Sequence, residues 1–126
     1  MNKKIKIFLL AIFAFILLTF FNSADANSID NISMDIALDD NGNASITEIW
    51  NCNVTDGTEV YHPYYNLGNS KITDLSVSEN GTAYSSLSSW KTSGSLSDKA
   101  YRCGINKISN GVELCWGISK YGSHSY

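Results

Sequence analysis

The chain has 126 residues, nine Lys or Arg against twelve Asp or Glu, and a formal net charge of −3. Three of the bases (Lys3, Lys4, Lys6) and one acid (Asp25) precede Asn27, so the 100 residues from Asn27 onward carry −5. That balance excludes a basic nucleic-acid footprint and an electrostatic grip on anionic lipid, and the length supports one domain with a thin stability margin.

The N-terminus reads as an export signal. Lys3, Lys4 and Lys6 form a cationic start, Ile7 to Phe21 an apolar run broken only by Thr19, and Ala24-Asp25-Ala26 a small-x-small end. This predicts a signal peptide over residues 1–26 with cleavage before Asn27. A spanning helix needs about 20 apolar residues, and this run is shorter. Residues 27–126 are then an extracytoplasmic domain, either on the outer face of the cell membrane or secreted.

From Asn27 the hydrophobic period is two. Ile32, Met34, Ile36 and Leu38 alternate with polar or small residues, and Ile46, Trp50, Cys52 and Val54 resume the alternation after Asp39-Asp40-Asn41-Gly42-Asn43. That middle segment tolerates left-handed backbone and closes a hairpin. Further strands are predicted at 59–65, 71–78, 82–85, 100–107 and 112–119. Asp56-Gly57, Leu67-Gly68-Asn69, Glu79-Asn80-Gly81 and Asn110-Gly111 supply the turns. Turn signals every 8–12 residues mark an all-β domain, an antiparallel β-sandwich of immunoglobulin-like or jelly-roll-like type. No window predicts an amphipathic helix.

Residues 85–97 hold seven serines, interrupted by Leu87, Trp90 and Leu96. They read as a long surface loop or ragged edge strand pinned by Trp90. Tyr121 to Tyr126 reads as a turn and the opening of another strand. Stopping there would leave a neighbour's backbone groups unpaired, so the expectation is a sandwich incomplete at its C-terminus.

The chemistry-bearing residues fall into no familiar constellation. His62 and His124 are the only histidines, and no Cys or His pair has zinc-site spacing; both are expected at exposed or edge-strand positions. In Asp39–Asn43 the glycine is fourth rather than sixth, unlike a calcium loop. No G-x-S-x-G elbow is present. Cys52, Cys103 and Cys115 are odd in number. A two-residue turn at Asn110-Gly111 would set Ile105 opposite Trp116 and Cys103 opposite Ile118, which disfavours a Cys103–Cys115 disulfide. Glu48 is out of place on an apolar face, and a sheet edge or a basic partner is its expected explanation. In Tyr61-His62-Pro63-Tyr64-Tyr65, alternation is expected to turn Tyr61 and Tyr65 inward and His62 and Tyr64 outward. His62, Tyr64 and Trp90 are the candidate binding residues, suited to a protein or cell-wall glycan. Asn31, Asn43, Asn53 and Asn80 head glycosylation sequons, which matter only in a glycosylating host. No catalytic residue, metal ligand or cofactor is expected.

The order of motifs resembles a bacterial predicted-membrane-protein family, domain of unknown function 2207. The resemblance runs from Leu38-Asp39-Asp40-Asn41-Gly42 and Ile46-Thr47-Glu48, through Asp56-Gly57-Thr58-Glu59 with Tyr61, Asn66-Leu67-Gly68 and Ile72 to Val77. It continues through Glu79 to Tyr84 and ends on Trp116 and Gly122 to Tyr126. It implies the N-terminal extracytoplasmic β-domain of a membrane-anchored surface protein, with membrane association through a C-terminal portion absent from this chain. It implies no catalytic residue. The alternative expectation is a free secreted carbohydrate- or cell-wall-binding module.

Overall fold

The structure is a computed structural model that describes residues 26–126, so the expected signal peptide lies, except for Ala26, outside the described residues. The described chain is all-β with one short helical turn. Its strands are β1 (Ser28–Leu38), β2 (Ala44–Val54), β3 (Glu59–Tyr65), β4 (Ser78–Glu79), β5 (Thr82–Ala83), β6 (Ser85–Leu87), β7 (Arg102–Ile108), β8 (Gly111–Gly117) and β9 (Gly122–Ser125). The helical turn, α1, spans Leu96–Lys99. They form one sheet ordered β1-β2-β9, a second ordered β3-β8-β7-β6, and the small β4-β5 ribbon.

Local turn chemistry makes the first hairpin. Asp39 Oδ1 accepts from the backbone N–H groups of Asn41 (2.9 Å) and Asn43 (2.8 Å), and Oδ2 accepts from the Asn43 side chain (2.8 Å). Gly42 supplies the positive φ of 82° that the turn needs. Within β1 a bulge at Asp30 keeps both Ile29 and Ile32 on the face of Cys52 and Trp50, although they lie three residues apart. The Asn27 side chain then ties down the β2–β3 turn, accepting from the N–H groups of Thr55 and Asp56 at 2.7 and 3.0 Å.

The core lies where β2 and β9 meet the second sheet. Trp50, Tyr84, Cys103 and Trp116 form one buried cluster, with Leu75, Val77 and Tyr126 packed against it. Cys52, Val54 and Ile118 form another. Trp50 meets Trp116 edge-on at 5.3 Å. All three cysteines are free and buried.

Several details correct the sequence reading. Residues 71–77 form no ladder, although Leu75 and Val77 reach the core; only Ser78–Glu79 pairs, through the Asn80-Gly81 turn with φ of 50° and 78°. The β7–β8 turn is Ser109-Asn110, so Cys103 faces Trp116 and Ile105 faces Leu114. The faces stay as expected but the register slides, because Gly111 is drawn against Tyr64: a Cβ there would sit 1.9 Å from the Tyr64 carbonyl oxygen. β6 runs parallel to β7, a departure from an antiparallel arrangement. The serine-rich segment ends in α1, where Ser95 and Asp98 form a reciprocal capping box.

Candidate functional site

The inner face of the β1–β2 hairpin divides into two halves. Near its base, Trp50, Cys52 and Val54 are buried in the core. Beyond Trp50 the same face continues in phase through Glu48, Ile46, Ile32, Met34, Ile36 and Leu38, where Ile32 pairs with Trp50, Met34 with Glu48 and Ile36 with Ile46. Exposure rises toward the hairpin tip, from 40% at Ile32 and 43% at Ile46, although Ile29 at the base is also 57% exposed. Ile36 is 55% exposed and Leu38 75%. The β1–β2 ladder runs to Leu38–Ala44, whereas β9 pairs with β2 only from Asn51 to Val54, with Tyr126 exchanging backbone bonds with Trp50. The hairpin is therefore longer than what packs on it.

Glu48 stands at the boundary of the two halves. Its Oε2 accepts from the Trp50 indole N–H (2.7 Å) and lies 2.9 Å from His62 Nδ1, while Oε1 accepts from the Tyr64 hydroxyl at 2.7 Å. His62 also stacks obliquely between Trp50 (5.2 Å) and Tyr64 (4.6 Å). Burial alone would raise the Glu48 carboxyl. The three hydrogen bonds and the His62 charge outweigh it and hold the group below the ordinary carboxylate range. Tyr64 is pushed up to about 12 by burial and by Glu48. A Glu–His pair can orient a general base, but this carboxylate also holds Trp50 and Tyr64, and so fastens β3 to β2 across the two sheets. The expected phase of β3 is thus reversed. Val60, opposite Trp116, fixes the inward face. His62 and Tyr64 follow it inward, and Tyr61 and Tyr65 are exposed.

Trp90, the third candidate, lies elsewhere and is buried. Its indole N–H donates to Glu59 Oε2 at 2.8 Å, and its ring edge comes within 3.3 Å of where a Gly104 Cβ would be. Glu59 also meets Lys99 Nζ, which donates in addition to Thr58 Oγ1 and the Thr92 carbonyl. Gly104, Cys115 and Gly117 make a shallow floor on the outer face of the second sheet, and the serine-rich segment lies on it.

A second carboxylate–histidine pair had no sequence signal. His124 sits on edge strand β9, one of the two placements expected for it, and is buried there with its ring stacked on Tyr126. Its Nδ1 is 2.6 Å from Glu79 Oε1, and its Nε2 is 2.8 Å from the Lys120 carbonyl, which can only accept. Nε2 therefore carries a proton. Tyr84 donates to the other Glu79 oxygen at 2.9 Å. Among the described residues no three His, Cys, Asp or Glu side chains gather as a metal site.

Between β1–β2 and β3 lies an open cleft of about 360 Å³, lined by Ile29, Trp50, Cys52, Val54 and Val60 among others. It lies at the base of the hairpin, and Ile32, Met34, Ile36, Leu38 and Ile46 do not line it. No family model matches the chain, and searches of curated proteins and of solved structures return no match.

Proposed function

We propose that the chain is a non-catalytic, extracytoplasmic β-module of a bacterial membrane-anchored surface protein, and that its task is to dock another envelope macromolecule on the β1–β2 hairpin. The observation that carries this reading is the hairpin's outer half, whose apolar face is in phase with the core and exposed. Contiguous exposed apolar surface of this kind marks interaction sites. The leader over residues 1–26 supports export, and the resemblance to the domain of unknown function 2207 family supports membrane attachment through a further portion. The two sheets, meeting at Trp50 and Trp116, are read as one β-sandwich. Both Glu–His pairs are engaged in structural bonds, which favours a module without chemistry of its own.

The test is a photo-crosslinking residue placed at Ile36 in the producing cell, with N-terminal sequencing of the exported product. A crosslinked envelope macromolecule on a membrane-associated chain beginning at Asn27 is expected. A chain found only in the medium, with no crosslink, would remove the reading.

One observation favours the alternative of a secreted glycan-binding module. Tyr61 and Tyr65 stand exposed on one face of edge strand β3, and exposed tyrosine rings are suited to sugar faces. Binding to cell-wall glycan that is lost in Tyr61→Ala and Tyr65→Ala, but kept in Ile36→Thr, would favour it.

A further inference from the structure

We infer that the serine-rich segment frames a second site, a pocket that takes an anionic sugar: a hexose-sized ring carrying a phosphate or carboxylate group. The pocket shares no residue with the β1–β2 hairpin, so the inference goes beyond the docking reading and stands apart from it.

A long irregular segment in a compact domain is usually either disordered or built for a ligand, and this one is fastened at three points. At its start β6 pairs with β7, with Leu87 opposite Gly104. In its middle the Trp90 indole N–H is held by Glu59 at 2.8 Å. Beyond that, Lys99 Nζ donates to the Thr92 carbonyl and meets Glu59. The Lys99 stem passes close against Gly94, where a Cβ would sit 3.1 Å from its Cε. Between these anchors lies a pocket of about 470 Å³, within the range of ~300–1,000 Å³ common to ligand sites. Leu87 and Trp90 supply its apolar lining. Ser89, Lys91 and Ser93, every second residue along the segment, line it together with Arg102 and remain exposed.

Charge and hydroxyl groups together select the ligand. From Asn27 onward the chain carries eleven acids against six bases. Even so, neither Lys91 nor Arg102 has an ion-pair partner among the described residues. Lys99 is matched by Glu59. Asp98, the one acid on the lining, is engaged by Ser95, whose N–H and hydroxyl donate to its Oδ2 at 3.0 and 2.6 Å. Arg102 reaches Asp98 through space rather than by an ion pair. With Glu59 included, three bases meet two carboxylates, so the pocket stays positive in an otherwise acidic chain. A guanidinium is a planar fork that binds phosphate or carboxylate through two parallel bonds, and a lysine adds a point charge. Serine hydroxyls both donate and accept, which suits the hydroxyls of a sugar, and Leu87 and Trp90 suit its apolar C–H face. A bare inorganic anion would leave the serines and the apolar lining unused.

The experiment is an amide NMR titration of the purified chain with glucose 6-phosphate, glucuronate, glucose and inorganic phosphate. Glucose 6-phosphate or glucuronate is expected to shift the signals of Ser89, Lys91, Ser93 and the Trp90 indole at millimolar concentration, with Ile46 and Glu48 unmoved. Whichever of the two binds more tightly identifies the anion as phosphate or carboxylate. Glucose and inorganic phosphate should each bind at least about tenfold more weakly, the worth of one charge-assisted contact, and added salt should weaken the anionic sugar. Arg102→Gln and Lys91→Gln should each cost about tenfold in affinity and leave the urea midpoint unmoved, because both side chains are exposed and unpaired. Should Arg102→Gln fail to fold, Lys91→Gln, which lies outside every strand, carries the test. Silence of the segment toward both anionic sugars overturns the inference, as do shifts confined to residues outside it. Glucose or inorganic phosphate binding as tightly as the anionic sugars overturns it too, and so does unchanged affinity in the folded variants. None of these outcomes bears on the crosslink from Ile36, so the docking reading is tested separately.

Discussion

Glu48 occupies a position where alternation calls for an apolar side chain, and its three donors explain how it is tolerated. A carboxyl whose folded pKa lies below its ordinary value of 4.5 adds stability above that value. The contribution is lost as pH falls through the folded pKa. Glu48→Gln is therefore expected to cost about 2 kcal/mol at neutral pH, the scale of hydrogen bonds to a charged acceptor. The gap from the parent should narrow as the pH falls through the folded pKa, as measured by urea midpoints at neutral and acid pH. The same substitution should bring Tyr64 down from about 12, read by ultraviolet titration of the phenols. Glu48 was legible in the sequence as an anomaly, but its partners were not. Trp50 is a near neighbour, whereas His62 and Tyr64 arrive from a strand in the other sheet. The cysteines make a second prediction at this scale. Cys115 is pushed up to about 12 by burial and then by the carboxylates of Glu59 and Glu113, and burial raises Cys52 and Cys103. Thiolate is the reactive form. The native chain should hardly react with a disulfide reagent near pH 8, while the unfolded chain titrates three thiols.

Elements were legible where their signals were local. β3 falls on Glu59–Tyr65 as predicted, and the Asp39–Asn43 turn is built from its own side chains. What escaped depends on distant partners. Tyr or His fills four of the five positions 61–65, so the segment had no period of its own, and Val60 opposite Trp116 decided its phase. Residues 71–77 alternate as a strand should, yet they contribute Leu75 and Val77 to the core without forming a ladder, and Val77 alone takes a backbone bond, from the Tyr84 N–H at 2.8 Å. α1 is too short for a helical period to be seen, and its existence depends on the floor beneath it. That dependence can be tested at Gly117, where a Cβ would sit 1.9 Å from the Lys99 carbonyl oxygen. Gly117→Ala must lift α1 and pull Lys99 from Glu59. The expected loss is about 1–3 kcal/mol, the range for overpacking, with the Trp90 indole N–H losing its protection from exchange. The measurement is urea unfolding with exchange at that indole; an unchanged Trp90 signal would mean that α1 does not hold the ring.

For the whole molecule, the unequal reach of the two sheets separates stability from docking. An alternating strand normally places its apolar face in the core, and the sequence of β1 gave no sign that half of this face would stay exposed. Ile36 and Ile118 are chemically alike but sit at opposite extremes, 55% and 0% exposed. Ile118→Ala should cost about 2–5 kcal/mol, the transfer and cavity cost of a filled site. Ile36→Thr removes little buried surface and keeps a β-branched residue on a strand, so its cost should stay below about 1 kcal/mol. If the hairpin face serves only the fold of this chain, the two substitutions should converge in urea, with Ile36→Thr costing as much as a core change. If it serves a partner, Ile36→Thr should leave the urea midpoint nearly unmoved and abolish the crosslink formed from a photo-reactive residue at Met34. The second pattern is the one the exposures predict. A face that contributes little to folding can keep its apolar character for an interaction, and the acidic residues around it are suited to keeping the exposed strand soluble.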